Sequence, residues 1–217
     1  RRIRFVVFAG DGGTHDIGLQ ALSGALERGH DFLYVCLNNE AYMNTGVQRS
    51  SATPKCAAAT TAPYGKAIPG KPQERKDLTE IVAAHGIPYV AQAAVSNLID
   101  LANKVERAMC YEGPKFINVL TPCPLGWRTP RDSVVQQAKL AVETCYWPLY
   151  EVIEGRYKIN YKPKEKVPIE EWLKTQGRFR HLFRDPRGKE LIAQIQAEVD
   201  RRWELLLQKE KCFGGGE

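Results

Sequence analysis

Two strand-length apolar runs joined by one amphipathic helix constrain this chain more than any other feature. The first run is Ile3–Phe8, interrupted only by Arg4, and the second is Asp31–Leu37. Between them Ile17, Leu19, Leu22, Ala25 and Leu26 recur at helical spacing, and Gly29 follows as a helix stop. The pattern repeats. A helix is expected over Asp77–His85, ending at Gly86, and a strand over Pro88–Gln92. A further helix is expected over Asn97–Cys110, before Gly113-Pro114, and a strand over Phe116–Leu120. Strands that are apolar throughout, alternating with helices, predict an α/β fold: a mainly parallel sheet with helices on both faces.

Elsewhere the periodicity changes. From about Val47 to Arg75 it lapses into Ser, Thr, Pro, Gly and Lys, a length of loop that usually serves function. Helical spacing returns over Ser133–Trp147. After Tyr150 the sequence "EGRYKINYKPKEKVP" predicts an extended, charged arm, followed by a short helix near Glu170–Thr175 and a longer one over Gly188–Lys211. The expected organisation is a ligand-binding α/β domain at 1–150 and a basic arm with helices at 151–217. Residues 156–217 hold 15 Lys/Arg against 10 Asp/Glu, a net of +5, leaving +1 of the total +6 for residues 1–155. Acids interleave with these bases over a long stretch, which favours docking to another subunit, through Trp172, Phe179 and Trp203, over nucleic acid.

Several classes are excluded. No stretch approaches the roughly 18 consecutive apolar residues of a membrane span, and Arg1-Arg2-Ile3-Arg4 does not lead into a signal peptide. A cytoplasmic setting is expected. The chain starts without Met on a core-type strand, so it is expected to be the C-terminal part of a longer polypeptide. Six cysteines show no CxxC pair and no zinc spacing, and read as reduced, buried small hydrophobes.

Chemistry is concentrated in two polar clusters at the ends of the first two strands: Gly10-Asp11-Gly12-Gly13, and Asn38-Asn39-Glu40-Ala41-Tyr42-Met43-Asn44-Thr45-Gly46. In a parallel sheet, ligands bind at the carboxyl ends of strands. The glycines would allow tight turns and close approach, with peptide N–H groups facing an anion. Asp11 would repel a bare phosphate, but a divalent cation between them reverses the sign. Magnesium takes oxygen ligands, and Asp11 with the amide oxygen of Asn38 or Asn39 and a backbone carbonyl would supply them. A metal-bridged phosphate or diphosphate is therefore expected; the bland alternative is two ordinary turns.

The spacing of Gly10-Asp11-Gly12, 25 residues, then Asn38-Asn39 resembles the signature of thiamine-diphosphate enzymes. In that resemblance the Mg2+ ligands are Asp11, Asn39 and the carbonyl of Ala41. Longer strings, "GDGGTHDIGLQALSGALERGHDFLYVCLNNEAYMNTGVQRSSATP", "TPCPLGW", "CYWPLYE" and "TQGRFRHL", resemble the β subunits of 2-oxoacid:ferredoxin oxidoreductases, pyruvate-acting ones in particular. Where many relatives have Asp-Asn, this chain has Asn38-Asn39. The resemblance implies that Gly10, Asp11, Gly12, Gly13, Asn39, Ala41, Asn44, Thr45 and Gly46 contact the cofactor. It also implies that Asn44 lies by the substrate carboxylate. Cys123 would be the fourth ligand of a 4Fe–4S cluster whose other three cysteines lie in an N-terminal region absent here. From the residues alone Cys123 would be buried and inert. Cys36, Cys56, Cys110, Cys145 and Cys212 are expected to be structural. His15 either touches the diphosphate or merely starts a helix, and His30, His85 and His181 read as helix-end or tail residues.

The same resemblance implies oxidative decarboxylation of a 2-oxoacid. Coenzyme A takes the acyl group, and electrons pass singly through iron–sulfur clusters to ferredoxin. The partners implied are α, γ and δ-type subunits, one of which contributes the carboxylate for the aminopyrimidine and a substrate-binding Arg. The sequence does not choose among pyruvate, 2-oxoisovalerate and 2-oxoglutarate beyond overall likeness to the pyruvate enzymes, nor fix the direction. Rival readings are a non-redox, acetolactate-synthase-like thiamine enzyme without the cluster, and a nucleic-acid or scaffold protein whose glycine loop is only a turn.

Overall fold

A strand buried on both faces is mainly apolar, and two strands of this chain come close: YVAQAA is interrupted only by Gln92, and KFINVL only by Lys115 and Asn118. The computed structural model describes residues 3–214. Its elements in order are β1 (Val6–Gly10), α1 (Leu19–Glu27), β2 (Leu33–Asn38), α2 (Leu78–Ala83), β3 (Tyr89–Ala94), α3 (Leu98–Ala108), β4 (Lys115–Leu120), α4 (Pro124–Trp127), α5 (Val134–Glu143), β5 (Tyr150–Ile153), β6 (Arg156–Ile159), α6 (Ile169–Leu173) and α7 (Gly188–Phe213). A π turn, Gly13–Ile17, precedes α1. The six strands form one sheet in the order β1-β2-β4-β3-β5-β6. The first four are parallel, while β5 and β6 are antiparallel additions.

Residues of β3 and β4 are buried throughout. Their alternate side chains enter different cores. Val90 and Phe116 meet Leu22 and Leu26 of α1 and Leu78 and Val82 of α2. Tyr89, Ala91, Ile117 and Val119 meet Ala108 of α3. Helices thus cover both faces, as the sequence predicts. The exception is β1, where Val6, Val7 and Phe8 are 43%, 40% and 67% exposed, and Phe5 before it 64%. Only one side of β1 is paired, to β2, so its apolar residues have no second neighbour among the described residues.

The expected strand Ile3–Phe8 is shifted to Val6–Gly10, because the ladder starts where Val6 faces Leu33. Ile17, expected on the buried face of α1, is 82% exposed; it belongs to the π turn, which offsets it from the α-helical phase. The helix expected over Ser133–Trp147 stops at Glu143, since Cys145 adopts φ 58° and turns the chain. After Tyr150 the chain is extended, and its first residues fold back as a hairpin. Glu154 and Gly155, at φ 50° and 81°, make a two-residue turn, and β5 adds to β3 with Tyr89 opposite Ile153. The division expected at residue 150 falls within β5. Trp172 and Phe179, expected to reach a partner, are fully buried beside Leu120, Trp127 and Val142, so they join the tail to the body of this chain. Trp203 is partly buried against the same cluster.

The loop between β2 and α2 is ordered by one buried cation. Lys71, 1% exposed, donates from Nζ to the carbonyls of Ser51 (3.3 Å), Thr53 (2.6 Å) and Glu74 (3.2 Å). Burial pulls its ammonium down to about 8. Cys36, Cys56 and Cys145 are buried as expected, but Cys110 and Cys212 are exposed and fill no core. All six cysteines are free thiols.

Candidate functional site

Both polar clusters lie at the same end of the sheet, because β1 and β2 are parallel and finish together, Gly10 opposite Leu37. The glycines turn without left-handed backbone. Gly12 is helical, at φ −61° and ψ −44°, and neither Gly10, Gly12 nor Gly13 has positive φ. Space requires glycine at position 12. A Cβ on Gly12 would lie 2.3 Å from the Tyr42 ring, whereas Gly10 and Gly13 face open space with nothing within 4 Å. Two open positions at a helix start leave peptide groups accessible to an anion. The π turn that follows, closed by Gly18 N–H to the Gly13 carbonyl at 2.6 Å, is a distortion that recurs at functional sites.

Asp11 is 1% exposed. Its Oδ2 accepts from Ser50 Oγ at 2.5 Å and its Oδ1 from the Asn39 N–H at 3.2 Å. Burial nevertheless pushes its carboxyl up to about 7, and a cation alongside would restore the carboxylate. The Asn39 amide end stands 2.9 Å from Asp11 Oδ1 and 2.8 Å from the Ala41 carbonyl oxygen. With its nitrogen toward them, the amide donates to both. With its oxygen toward them, three oxygens crowd together and need a cation. Octahedral Mg2+ holds oxygens at about 2.0–2.1 Å, which sets neighbouring ligands about 2.9 Å apart. The spacing of these groups suits that ion, so Asp11, Asn39 and the Ala41 carbonyl could hold it. Asn38, the other candidate, is committed elsewhere. Its Nδ2 donates to Asn118 Oδ1 (3.3 Å) and its Oδ1 accepts from the Glu40 N–H (3.1 Å).

Sequence reasoning missed the groups that fix this loop. Glu40 sits between the two candidate ligands with φ 66° and is fully buried. Its Oε1 accepts from Tyr146 Oη at 2.7 Å and its Oε2 from Arg178 Nη2 at 2.6 Å. The Arg178 guanidinium lies 4.0 Å from the Trp127 ring centroid, and Trp127 Nε1 donates to the Asn39 carbonyl at 2.8 Å. Tyr42 Oη donates to the Gly12 carbonyl at 2.9 Å and to Asp16 at 3.2 Å, tying the second cluster to the first. The available signal was the co-occurrence of the "TPCPLGW" and "TQGRFRHL" strings with the glycine cluster; their contacts span up to 138 residues.

His15, 1% exposed, donates from Nδ1 to the Asp11 carbonyl at 3.0 Å, and burial lowers its pKa to about 4, so it is neutral. Asn44, Thr45 and Gly46 form an exposed turn, closed by Gly46 N–H to the Met43 carbonyl at 3.2 Å. The Asn44 amide makes no hydrogen bond among the described residues, while Thr45 Oγ1 donates to Gln48 at 2.5 Å. Cys123 is partly exposed at the start of α4, four residues before Trp127. Among the described residues no group of three His, Cys, Asp or Glu side chains could hold a metal. A separate cavity of about 70 Å³ beneath α7 is lined by charges that pair with one another, such as Arg202 with Asp77 at 3.4 Å, and has no part in this site.

Residues 1–119 match the family model "Thiamine pyrophosphate enzyme, C-terminal TPP binding domain". That class accords with the carboxylate, amide and open glycines gathered at the carboxyl ends of two parallel strands. Among curated relatives, the pyruvate synthase subunit PorB of Thermotoga maritima is 53% identical over 97% of this chain and 65% of its own length. PorB of Methanocaldococcus jannaschii is 52% identical over 95% and 67%. The ketoisovalerate oxidoreductase subunit VorB of Pyrococcus abyssi is 50% identical over 98% and 67%. The chain thus spans about two thirds of these relatives. It belongs to their family, the β subunits of the 2-oxoacid:ferredoxin oxidoreductases. A solved 2-oxoglutarate:ferredoxin oxidoreductase from Magnetococcus marinus superposes with a TM-score of 0.49 over 61% of this chain and 50% of that one, at 26% identity.

Proposed function

We propose that this chain is the cofactor-holding part of a 2-oxoacid:ferredoxin oxidoreductase acting on pyruvate. One observation carries the site: the Asn39 amide lies within 2.9 Å of both Asp11 Oδ1 and the Ala41 carbonyl. Those three groups hold Mg2+, and the backbone of Gly10-Asp11-Gly12-Gly13, open at Gly10 and Gly13, takes the diphosphate. Bound thiamine diphosphate supplies the nucleophilic carbon and the electron sink for decarboxylation. The chain's own part is placement. Asp11 is oriented by Ser50, the Asn39 carbonyl by Trp127, and the loop between them by Glu40. The unengaged amide of Asn44, with Thr45 and Gly46 around it, meets the substrate carboxylate.

Cys123 is the chain's contribution to a 4Fe–4S cluster, with the other ligands supplied from outside the described residues. Its partial exposure leaves the thiolate reachable, and α4 ties it to Asn39 through Trp127. The names PorB and VorB denote subunits, and α, γ and δ-type partners, coenzyme A and ferredoxin complete the reaction. The exposed residues of β1, with Phe183 and Phe213 in the tail at 41% and 60% exposure, suit such partners, and residues 151–217 dock there. Six free thiols suit a reducing cytoplasm, and no helix among the described residues is long and apolar enough to cross a membrane.

Calorimetric titration of thiamine diphosphate into the assembled protein, with Mg2+ and then with EDTA, tests the reading. Binding that needs the metal is expected; none by the folded assembly would defeat it. In the same assembly Cys123→Ser should keep cofactor binding and lose iron–sulfur content. Unchanged cluster content would return Cys123 to a structural role.

A further inference from the structure

The segment that carries Cys123 and Trp127 ends at Arg128, and Arg128 forms one wall of an open cleft of about 470 Å³. Lys66, Arg180 and Arg184 line the same cleft. None of these four cations has a hydrogen bond or ion pair among the described residues. The acid on the rim, Asp185, is already engaged: Arg187 donates to its Oδ1 from Nε (3.1 Å) and to its Oδ2 from Nη2 (2.8 Å). Like charges gathered around one concavity raise its potential and favour entry of an anion.

The cleft is built rather than incidental. Arg128 holds a left-handed backbone, φ 56°, and its carbonyl accepts the Gly177 N–H at 3.2 Å. A Cβ on Gly177 would lie 2.6 Å from Arg128 Cβ, so glycine is what lets the two segments meet. The 3-10 turn Gly177–Phe183 then sends Arg178 inward to Glu40 and leaves Arg180 exposed at the cleft. At the inner wall His181, 8% exposed, donates from Nε2 to the Pro69 carbonyl at 3.0 Å. Tyr64 stacks on its ring at 4.6 Å, nearly parallel at 2°, and stays 57% exposed. The wall therefore offers an aromatic surface beside a ring of guanidinium groups.

We propose that this cleft binds a phosphate-bearing small molecule, its phosphate oxygens held by Arg128, Arg180 and Arg184. Guanidinium forks match phosphate oxygens bidentately. The volume lies within the roughly 300–1,000 Å³ of small-molecule sites. A protein partner would need about 1,000 Å² of interface, far more than this cleft supplies. The phosphate comes either as the free ion or as part of an aromatic ester, for which Tyr64 is the platform.

The test is titration of adenosine 5′-diphosphate, and separately of inorganic phosphate, into the intact assembly in EDTA. EDTA removes metal-bridged binding at the Asp11 cluster, and the loss on substituting the arginines assigns binding to the cleft. The Arg180→Ala/Arg184→Ala double variant, with both side chains at the surface, should weaken binding about tenfold or more, and the Arg180→Lys/Arg184→Lys variant should fall between it and the unaltered assembly, because an ammonium keeps the charge but loses the bidentate fork. Diphosphate binding much tighter than phosphate would identify the ester; equal binding would identify the free ion. No binding of either probe, or binding untouched by the Ala variant, would overturn the proposal. Protection of these arginines by an acidic protein, without small-anion binding, would overturn it too.

Discussion

Arg178 Nη2 donates to Glu40 Oε2 at 2.6 Å across 138 residues of sequence, with both side chains at or below 3% exposure. This buried pair fastens the tail to Glu40, which lies between Asn39 and Ala41, two of the three candidate magnesium ligands. Removing one partner strands a charge, at a cost of about 3–5 kcal/mol, whereas removing both costs less. Arg178→Met should therefore lower the denaturation midpoint more than Glu40→Gln/Arg178→Met does. Additive losses in a double-mutant cycle would show that the two residues act independently.

Gly12 and Gly13 separate folding from binding. Gly12→Ala drives a methyl into the Tyr42 ring and should cost about 1–3 kcal/mol of stability. Gly13→Ala meets nothing within 4 Å in the chain, so its thermal midpoint should hold or rise slightly. The same methyl should obstruct a ligand on that backbone and weaken thiamine diphosphate. Equal affinity in Gly13→Ala would mean the diphosphate lies elsewhere.

Ser50 is a positioning residue for Asp11, through the 2.5 Å hydrogen bond to Oδ2. Groups that orient a metal ligand are worth about 10–100-fold in affinity. Ser50→Ala should weaken Mg2+ by that factor and leave the fold intact, with Ser50→Thr recovering part of the loss. Direct metal titration at saturating thiamine diphosphate distinguishes this from a general loss of structure.

Two buried groups give opposite pH dependences. The Asp11 carboxyl moves from 3.8 to about 7. The folded chain then holds the extra proton between those values, and stability falls as pH rises through that window. The His15 imidazole moves from 6.5 to about 4. The unfolded chain holds that proton instead, and stability rises from about 4 to 6.5. In the metal-free chain the two effects offset one another up to about pH 6.5, each being about 1.4 kcal/mol per pH unit. Bound Mg2+ keeps Asp11 ionised and leaves only the His15 rise. Denaturant midpoints with and without Mg2+ should diverge with increasing pH; parallel curves would contradict the placement of the metal.

Much of the sheet was legible because β3 and β4 are mainly apolar, with only Gln92, Lys115 and Asn118 as exceptions, and because Gly29, Gly86 and Gly113 close helices. The hairpin of β5 and β6 was not, since Glu151 and Lys158 interrupt the alternation and only Glu154-Gly155 signals the turn. Asp11 stood out as a candidate ligand beside Asn38 or Asn39 and a backbone carbonyl, and the resemblance to thiamine-diphosphate enzymes narrowed the choice to Asn39 and Ala41. Ser50, Glu40, Lys71 and Arg178 did not stand out, because their partners are distant in sequence and a buried ion pair reads locally as two surface charges. The tail aromatics were misread for a similar reason: Trp172 lies among charged neighbours in sequence but against Tyr146 and Trp127 in space.

The π turn at Gly13–Ile17 has a consequence for how this site can change. Asp11 and Gly12 are already helical and α1 resumes at Leu19, so the turn works as a phase shifter of one surplus residue between two halves of a single rod. Deleting that residue would restore a regular helix and rotate Asp11 by about 100° relative to Leu22 and Leu26. The carboxylate and the buried face of α1 could not then both find their places. Point substitutions can therefore accumulate along this helix, but its length is fixed between Asp11 and Leu26.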